Sequence, residues 1–499
     1  MHTITETRKG KKCLIFNGYR YLRDRIRNVN TYWRCENRNE CPGRLTQKGD
    51  QIPVVTAQHN HEPNEEKIKQ QIFRTHLKEQ IRESSVPIRK IFRGEIINRY
   101  STEPDSVCTL PQFNQIKNSL YRVKNINYPP LPKSIEDVSI EGNNVIKINI
   151  KFVYDFFLGK WRLYLNGENF TLADNKNPRY FVFGTTDSLK MLCSSDHIFA
   201  DGTFKSSPTP FKQLYSIHIE SSVLNNTLPV LYALLPDKFK ATYTIFFNDL
   251  RKICAQYDFI LNPRLITVDF EQGCLKSLQN IFPNSELKGC NFHFNKCIFK
   301  KITDLGWQQQ YYLSSNDDLH SVLALYQKTC ALAFMPVNSI DQLWCNIMDN
   351  FDHIPDAHHF FDYVTDTWID PDALFPKKLW NYYSFHGLRT NNGLEGWHHR
   401  LNSNVGATNP NLFLVLEEIK KDYIFNMATL KQVQHQENKQ RRKKQYVLRN
   451  RRIINLMDRY ANGTLTLNEY FIKISKTIGK KNHFVSGLII MKLPHDFFY

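Results

Sequence analysis

The chain has 499 residues, of which 41% are hydrophobic and 13% aromatic, and a formal net charge of +18. That is ample apolar material for a folded protein of three or so domains. It contains no run of about 18 apolar residues, which excludes a helical membrane span. The first residues lack the basic-then-apolar layout of a signal peptide, so an intracellular location is expected. Eleven cysteines, an odd number spread along the chain, suit free thiols and a metal site better than a disulfide framework. The charge is uneven. Residues 1–64 carry 12 Lys/Arg against 6 Asp/Glu, and residues 431–499 carry 15 against 4, which leaves the middle almost neutral. Two basic ends on a near-neutral body point to a polyanionic partner, because Lys/Arg neutralise phosphates with strong, salt-sensitive affinity.

Cys35, Cys41, His59 and His61 form a C-x5-C, x17, H-x-H pattern. Thiolate and imidazole are the donors that a tetrahedral structural zinc takes. Residues two apart on a strand share a face, so an H-x-H on a strand can present both imidazoles to one ion. The preceding Val54–Gln58 reads as a strand. The spacing differs from that of a ββα finger with a recognition helix, and a small zinc-pinned β-sheet is expected in its place, with Leu14, Phe16, Tyr19, Tyr21, Leu22, Tyr32 and Trp33 as its core. Cys13 lies outside the pattern. Gly18-Tyr19, Tyr32-Trp33-Arg34-Cys35, Cys41-Pro42-Gly43-Arg44-Leu45 and His59-Asn60-His61 resemble a FLYWCH-type zinc finger over residues 10–63. The resemblance implies a β-strand that reads duplex DNA, with Arg20, Arg23, Arg25, Arg27 and Arg34 as its contacting face. A zinc module used for protein contacts is the alternative.

Residues 65–135 read as a helical region: Glu65–Glu83, then Val86–Tyr100 with Ile88, Ile91, Phe92, Ile96 and Ile97 at helical spacing, then Pro111–Val123. Three short helices suit a helix-turn-helix DNA reader or a plain packing domain equally. Tyr128-Pro129-Pro130-Leu131-Pro132 is a stiff linker. A β-rich lead-in follows over residues 136–185, with strand-like segments at Val145–Val153, Lys160–Leu165 and Arg179–Phe183.

From residue 186 the order becomes informative. A short helix at Ser188–Ser194 precedes strands at His197–Phe204, Gln213–Glu220 and Leu228–Leu235. A helix at Ala241–Tyr257, a strand at Leu265–Val268, a helix at Gln272–Phe282 and a fifth strand at Leu287–Phe294 complete an α/β layer plan. This is the order of a ribonuclease-H-like sheet, in which the first and fourth strands are neighbours. Asp201 lies on the first, and Asp269 ends the fourth. Residues 301–385 read as a helical insertion, with helices at Leu319–Phe334 and Ile340–Phe351. Glu395 then opens a helix in Arg389-Thr390-Asn391-Asn392-Gly393-Leu394-Glu395-Gly396-Trp397, and Leu412–Gln434 is a long helix. The α/β part therefore comprises residues 186–300 and 386–430.

Ala200-Asp201-Gly202-Thr203-Phe204-Lys205, Thr267-Val268-Asp269-Phe270-Glu271, Gly289-Cys290-Asn291-Phe292-His293 and Asn391-Asn392-Gly393-Leu394-Glu395-Gly396-Trp397-His398 resemble a Mutator-like element (MULE) transposase domain. The resemblance spans residues 186–430. It implies a DDE centre in which Asp201, Asp269 and Glu395 hold Mg2+ or Mn2+ and the protein cuts and joins DNA. Two such ions activate water and stabilise the leaving oxygen of a phosphodiester. An aspartate at a strand end also serves as a turn or helix cap, and Glu271 reads as a helix N-terminal acid. Cys290 and His293 form a C-x-x-H signature typical of that family, which reads as a structural or substrate-side pair with His293 near the scissile phosphate, or as a buried Cys and a satisfied His. A second zinc site there would need two more donors, such as Cys297 and a distant His. Trp397 is placed to stack on an unpaired base or to serve as a core aromatic. His398 and His399 have no assignable role.

In the basic region 431–499, eight Lys/Arg cluster between Lys439 and Arg452, which suits nuclear import or phosphate contact, or a solvated helix face. The expected protein is thus a nuclear transposase with structural Zn2+ and catalytic Mg2+ or Mn2+. It binds double-stranded DNA at terminal inverted repeats as a homo-oligomer. The rivals are a domesticated DNA-binding transcriptional regulator on a transposase scaffold and a zinc-stabilised protein-interaction module.

Overall fold

The computed structural model describes residues 2–6, 12–84, 86–126, 128, 132, 134–138, 168–224, 226–314, 319–390, 392–406, 410–436 and 444–478. The strand-like segments expected at 145–153 and 160–165, the basic residues 439–443 and the apolar stretch 484–491 lie outside them. The chain divides into two compact units, residues 1–132 with 402–415, and residues 133–401 with 416–499.

The first unit opens with a six-stranded antiparallel meander: β1 (His2–Glu6), β2 (Lys12–Phe16), β3 (Tyr19–Arg27), β4 (Asn30–Cys35), β5 (Arg44–Lys48) and β6 (Val54–Ala57), paired in sequence order. Its first strand precedes the module start expected at residue 10. Leu14, Phe16, Tyr21, Trp33 and Leu45 form its core, and buried Trp33 Nε1 donates to Gln47 Oε1 at 3.2 Å. Three helices follow, α1 (Glu65–Glu83), α2 (Ile88–Thr102) and α3 (Phe113–Ile126). Asn64 caps α1 by accepting the Lys67 N–H, and Glu65 and Glu66 sit in its first turn, where negative charge is favoured. Phe73, Leu77, Ile81, Ile88, Ile116, Leu120 and Val123 are the helices' shared core. Glu36 accepts ion pairs from Arg20 at 3.0 Å and Lys67 at 3.2 Å, which ties the sheet to α1.

The second unit is built on a mixed seven-stranded sheet. The hairpin β7 (Thr171–Lys176) and β8 (Arg179–Phe183) leads to α4 (Thr186–Cys193). Then come β9 (His197–Thr203), β10 (Gln213–Ser221), β11 (Asn226–Leu235), α5 (Lys240–Ala255), β12 (Leu265–Val268), α6 (Gln272–Ile281) and β13 (Glu286–Gly289). The sheet order is β13-β12-β9-β10-β11-β8-β7. The expected neighbouring of β9 and β12 is present, as a parallel pair with Phe199 opposite Thr267. Almost every residue of β10 and β11 is buried, so both faces of the sheet are covered.

The fifth strand is shorter than its expected span of Leu287–Phe294. It stops at Gly289, and Asn291 begins α7 (Asn291–Asp304). The apolar alternation around Phe292 and Phe294 is overridden by the longer series Phe294, Ile298, Phe299 and Ile302, which buries one stripe of a helix. The helical segment runs on through α8 (Gln308–Leu313), α9 (Val322–Ala331), α10 (Ile340–Phe351), α11 (Ala357–Val364) and α12 (Lys377–Trp380). Next come α13 (Asn392–Val405) and α14 (Leu412–Gln436), which the division between units cuts, and α15 (Lys444–Ala461) and α16 (Leu467–Ser475). The described part of the basic region is therefore folded. Ile453, Leu456, Met457, Tyr470, Phe471 and Ile474 join the core of the second unit, and Arg451 and Arg452 face solvent.

Candidate metal centres

The four N-terminal donors converge. Cys35, Cys41, His59 and His61 each offer an atom within 4.8 Å of the others. Cys35 Sγ lies 3.3 Å from His61 Nε2, Cys41 Sγ lies 3.2 Å from His59 Nδ1, and the two imidazole nitrogens are 3.3 Å apart. Donors of a tetrahedral zinc, at bond lengths of about 2.0–2.3 Å, stand about 3.3–3.7 Å from one another. These three edges lie close to that range. The histidines do not sit on a strand as expected, because β6 ends at Ala57. They reach one point by using different ring nitrogens. His59 is oriented by Tyr21 Oη on its Nε2 at 2.7 Å, and His61 by the Glu62 carbonyl on its Nδ1 at 2.8 Å. Such outer partners fix ring orientation. Tyr19 stacks on His59 at 3.7 Å between centroids. Gly43 is required here, since a Cβ would fall 2.6 Å from the His59 ring. Burial pushes the Cys35 thiol up to about 11, a cost that a bound cation removes by stabilising the thiolate.

The arginines expected to form a DNA face separate into groups. Residues opposed across an antiparallel ladder share a side. Leu22 pairs with Arg34 and Arg34 with Arg44, which places Arg34 and Arg44 opposite to the buried Trp33 side. The bulge at Asp24 shifts the register, so that Arg25 pairs with Tyr32 and Arg27 with Asn30. Arg25 and Arg27 thereby join the outer side, with the Arg25 guanidinium 5.0 Å from the Tyr32 ring centre. Arg23, opposite Trp33, is left on the other side. Arg20 is drawn into the Glu36 ion pair. Arg44 is a member that strand spacing alone did not show.

In the second unit, the β9–β12 register continued past Phe199 and Thr267 brings Asp201, within β9, level with Asp269, one residue past the end of β12. Asp201 is buried, and its Oδ1 accepts the Gly202 N–H at 2.8 Å. Glu395, in the first turn of α13, and His293, in the first turn of α7, complete a cluster. Asp201, His293 and Glu395 offer donor atoms within 4.8 Å of one another. His293 Nε2 is 3.0 Å from Glu395 and 4.0 Å from Asp201. Asp269 is not one of the three. Its Oδ1 accepts the Glu271 N–H at 3.2 Å, which starts α6, and its charge acts on Asp201.

The electrostatics follow from crowding acids in a buried place. Burial pushes the Asp201 carboxyl well above its usual range. Asp269 and Glu395 add to that, and His293 opposes it. For His293 burial disfavours the imidazolium, but Cys290, Glu395 and Asp201 outweigh burial and hold it well above the usual value. Burial would raise Glu395 too, yet the His293 hydrogen bond and charge hold it down to about 2. A buried group of acids with a cation drawn between them is what a divalent metal site presents. Glu271 titrates at about 7 through burial and the Asp269 charge, with Lys238 3.5 Å away pulling the other way.

Trp397 is not a stacking platform. It is 2% exposed, lies against Tyr232 and His218, and donates from Nε1 to Asp422 Oδ2 at 2.6 Å. Asp422 also accepts from Arg400 at 2.7 and 3.1 Å and from Asn426 at 2.8 Å. This lock holds α13 from the residue two after Glu395, and no motif in the sequence marked Asp422. Gly393 allows the approach from the other side, because a Cβ there would fall 2.3 Å from Asn226 Oδ1 and 2.4 Å from Thr227 Oγ1 on β11. Cys290 precedes α7 as its capping residue and is buried beside His293. Among the described residues, Cys290, His293 and Cys297 do not gather into a second Cys/His cluster. His398 is buried, and burial pulls it down to about 4. Lys296, one turn into α7 and exposed, faces Glu395 electrostatically and was not marked by any motif.

A β-sheet with a convergent Cys/His donor set is followed along the chain by an acid-bearing α/β sheet. Residues 4–61 match the FLYWCH zinc finger domain and residues 197–297 match the MULE transposase domain. The chain carries both. The second match includes Asp201, Asp269, Cys290 and His293 and ends before Glu395. No curated protein matches the chain.

Proposed function

We propose that the protein is a metal-dependent DNA transposase whose sheet is of the ribonuclease-H-like kind, acting in the nucleus on duplex DNA at the ends of an element. The observation that carries this is the meeting of Asp201 and Glu395, 194 residues apart, with His293 on the sheet of a MULE transposase domain. The donor set suits Mg2+ or Mn2+, with the imidazole favouring the latter. Asp201 and Glu395 would hold the cation, with His293 joining them once it gives up its proton, and Asp269 would complete its surroundings from the neighbouring strand. A divalent cation there supplies Lewis acidity for phosphodiester cleavage and strand transfer. The chain's own groups set the stage for it. Burial and crowding make Asp201 demand positive charge. His293 orients Glu395 by their 3.0 Å contact. The Asp422 lock and the Gly393 approach fix the α13 turn that carries Glu395. Zn2+ on Cys35, Cys41, His59 and His61 would hold the β-sheet whose Arg25, Arg27, Arg34 and Arg44 meet phosphates.

The test is nicking of a DNA duplex by purified protein with Mg2+ or Mn2+, with binding measured alongside. Asp201→Asn and Glu395→Gln should each lower nicking by about 10³-fold or more while duplex binding persists. Binding without any nicking by the native protein would favour the domesticated regulator. Equal nicking by native protein and variants would refute the site.

A further inference from the structure

We infer that α2 is a second DNA-contacting element, separate from the zinc module, which meets duplex phosphates through Arg89, Lys90 and Arg93. This rests on the reading that the chain works on DNA. Helices α1 and α2 are joined by four residues, Ser84 to Pro87, the connection length of a helix-turn-helix, in which the second helix enters the major groove by its N-terminal residues. Their packing is fixed from inside. Phe73 meets Phe92 edge-on at 5.9 Å, and Phe92 meets Phe113 of α3 at 5.4 Å.

The charges on α2 are sorted by face. Its one acid, Glu95, is buried and bound to Arg99 at 2.7 Å and to His76 of α1 at 3.1 Å. The first two turns then expose Arg89, Lys90 and Arg93 with no acid among them. Arg89 and Arg93 rim a shallow groove of about 370 Å³ with Gln112 and Asn114 at the start of α3, so two cations and two amide side chains face one concave strip. The opposite end of the bundle is acidic. There Glu65 and Glu66 of α1 meet Glu103 and Asp105 beyond α2 around a second groove. A bundle basic at the N-terminus of its second helix and acidic at the far end has one orientation toward a polyanion. Farther along α2, exposed Ile97 and Asn98 follow the three cations, an apolar and an amide side chain of the types that contact thymine methyl and adenine edges.

The experiment titrates the full chain against a random-sequence duplex of about 30 base pairs over a range of KCl. Each phosphate contact contributes about 0.9 to the slope of log affinity against log salt. The triple variant Arg89→Ala/Lys90→Ala/Arg93→Ala should lower that slope by about 2–3 and weaken binding at low salt, while Lys69→Ala at the acidic end changes neither. Circular dichroism checks folding. If the triple variant does not fold, a photocrosslinking amino acid built in at position 98 during synthesis replaces it and should attach to DNA. Unchanged slope and affinity in a folded triple variant, or no crosslink from position 98, would overturn the inference and leave the transposase reading intact. No duplex binding by the native chain would overturn both.

Discussion

Replacing Asp422 by alanine should loosen the helix that carries Glu395. Asp422 is buried and accepts from Trp397, Arg400 and Asn426, with Tyr232 Oη at 3.5 Å. Breaking a fully buried ion pair costs about 3–5 kcal/mol. Here the Arg400 side chain is 44% exposed, so it recovers water and its share is discounted. Trp397 Nε1 has no such recourse, and a buried unsatisfied donor costs about 1–3 kcal/mol. The expected total is about 3 kcal/mol. Trp397→Phe, which removes the donor and also shrinks the buried indole to a phenyl ring, should cost about 2 kcal/mol. Urea unfolding of the native chain, both single variants and the double variant gives the coupling energy, expected at about 1 kcal/mol or more. Nicking should fall further in Asp422→Ala than duplex binding does. A coupling energy near zero, or an Asp422→Ala cost below about 0.5 kcal/mol, would refute the reasoning.

Gly43→Ala places a methyl against His59 and should weaken zinc binding by about 10–100-fold, read by competition with a chromogenic chelator; unchanged affinity would show that the His59 ring moves freely. Glu95→Gln tests the anchor between α1 and α2. Burial opposes its ionisation, but Arg99 and His76 outweigh burial and lower it from 4.5. A lowered carboxyl stabilises the fold above its unfolded value, and that stability is lost as pH falls through the folded value. The variant should be less stable by about 1–2 kcal/mol at pH 7, with the difference shrinking below about pH 4.5; a constant difference across pH would contradict the ion-pair account. Gly393→Ala should cost about 1–3 kcal/mol by overpacking against Asn226 and Thr227, and its nicking defect should exceed its binding defect. Equal loss of both would place the damage elsewhere.

Much of the fold was legible where local periodicity and tertiary demand agree. The span Glu65–Glu83 was readable because Asn64 caps it and acids fill its first turn, and Leu265–Val268 because a run of three apolar residues and a β-branched threonine ends at an acid. The order of strands and helices from β9 to β12 followed from alternating periods of two and 3.6. The reading broke at Leu287–Phe294, where four strand residues pass into a helix at Asn291. Short apolar segments carry both periods, and only the helix's burial against its neighbours separates them. Trp397 was ambiguous for a similar reason. An aromatic beside an acid motif stacks on a base or fills a core, and its contact with Asp422 decides between them.

The amino-acid sequence by itself determined the zinc donors and the presence of acids on or just past two strands, because each is a matter of residue type at local spacing. Tertiary structure alone decided which acids meet. Asp201 and Asp269 are level because their strands pair in parallel, yet the donor atoms that converge are those of Asp201, Glu395 and His293. Local pattern places a side chain on an element, but the distance between side chains on different elements depends on how those elements pack. That packing rests here on residues with no motif of their own, among them Gly393, Asp422 and Gly43.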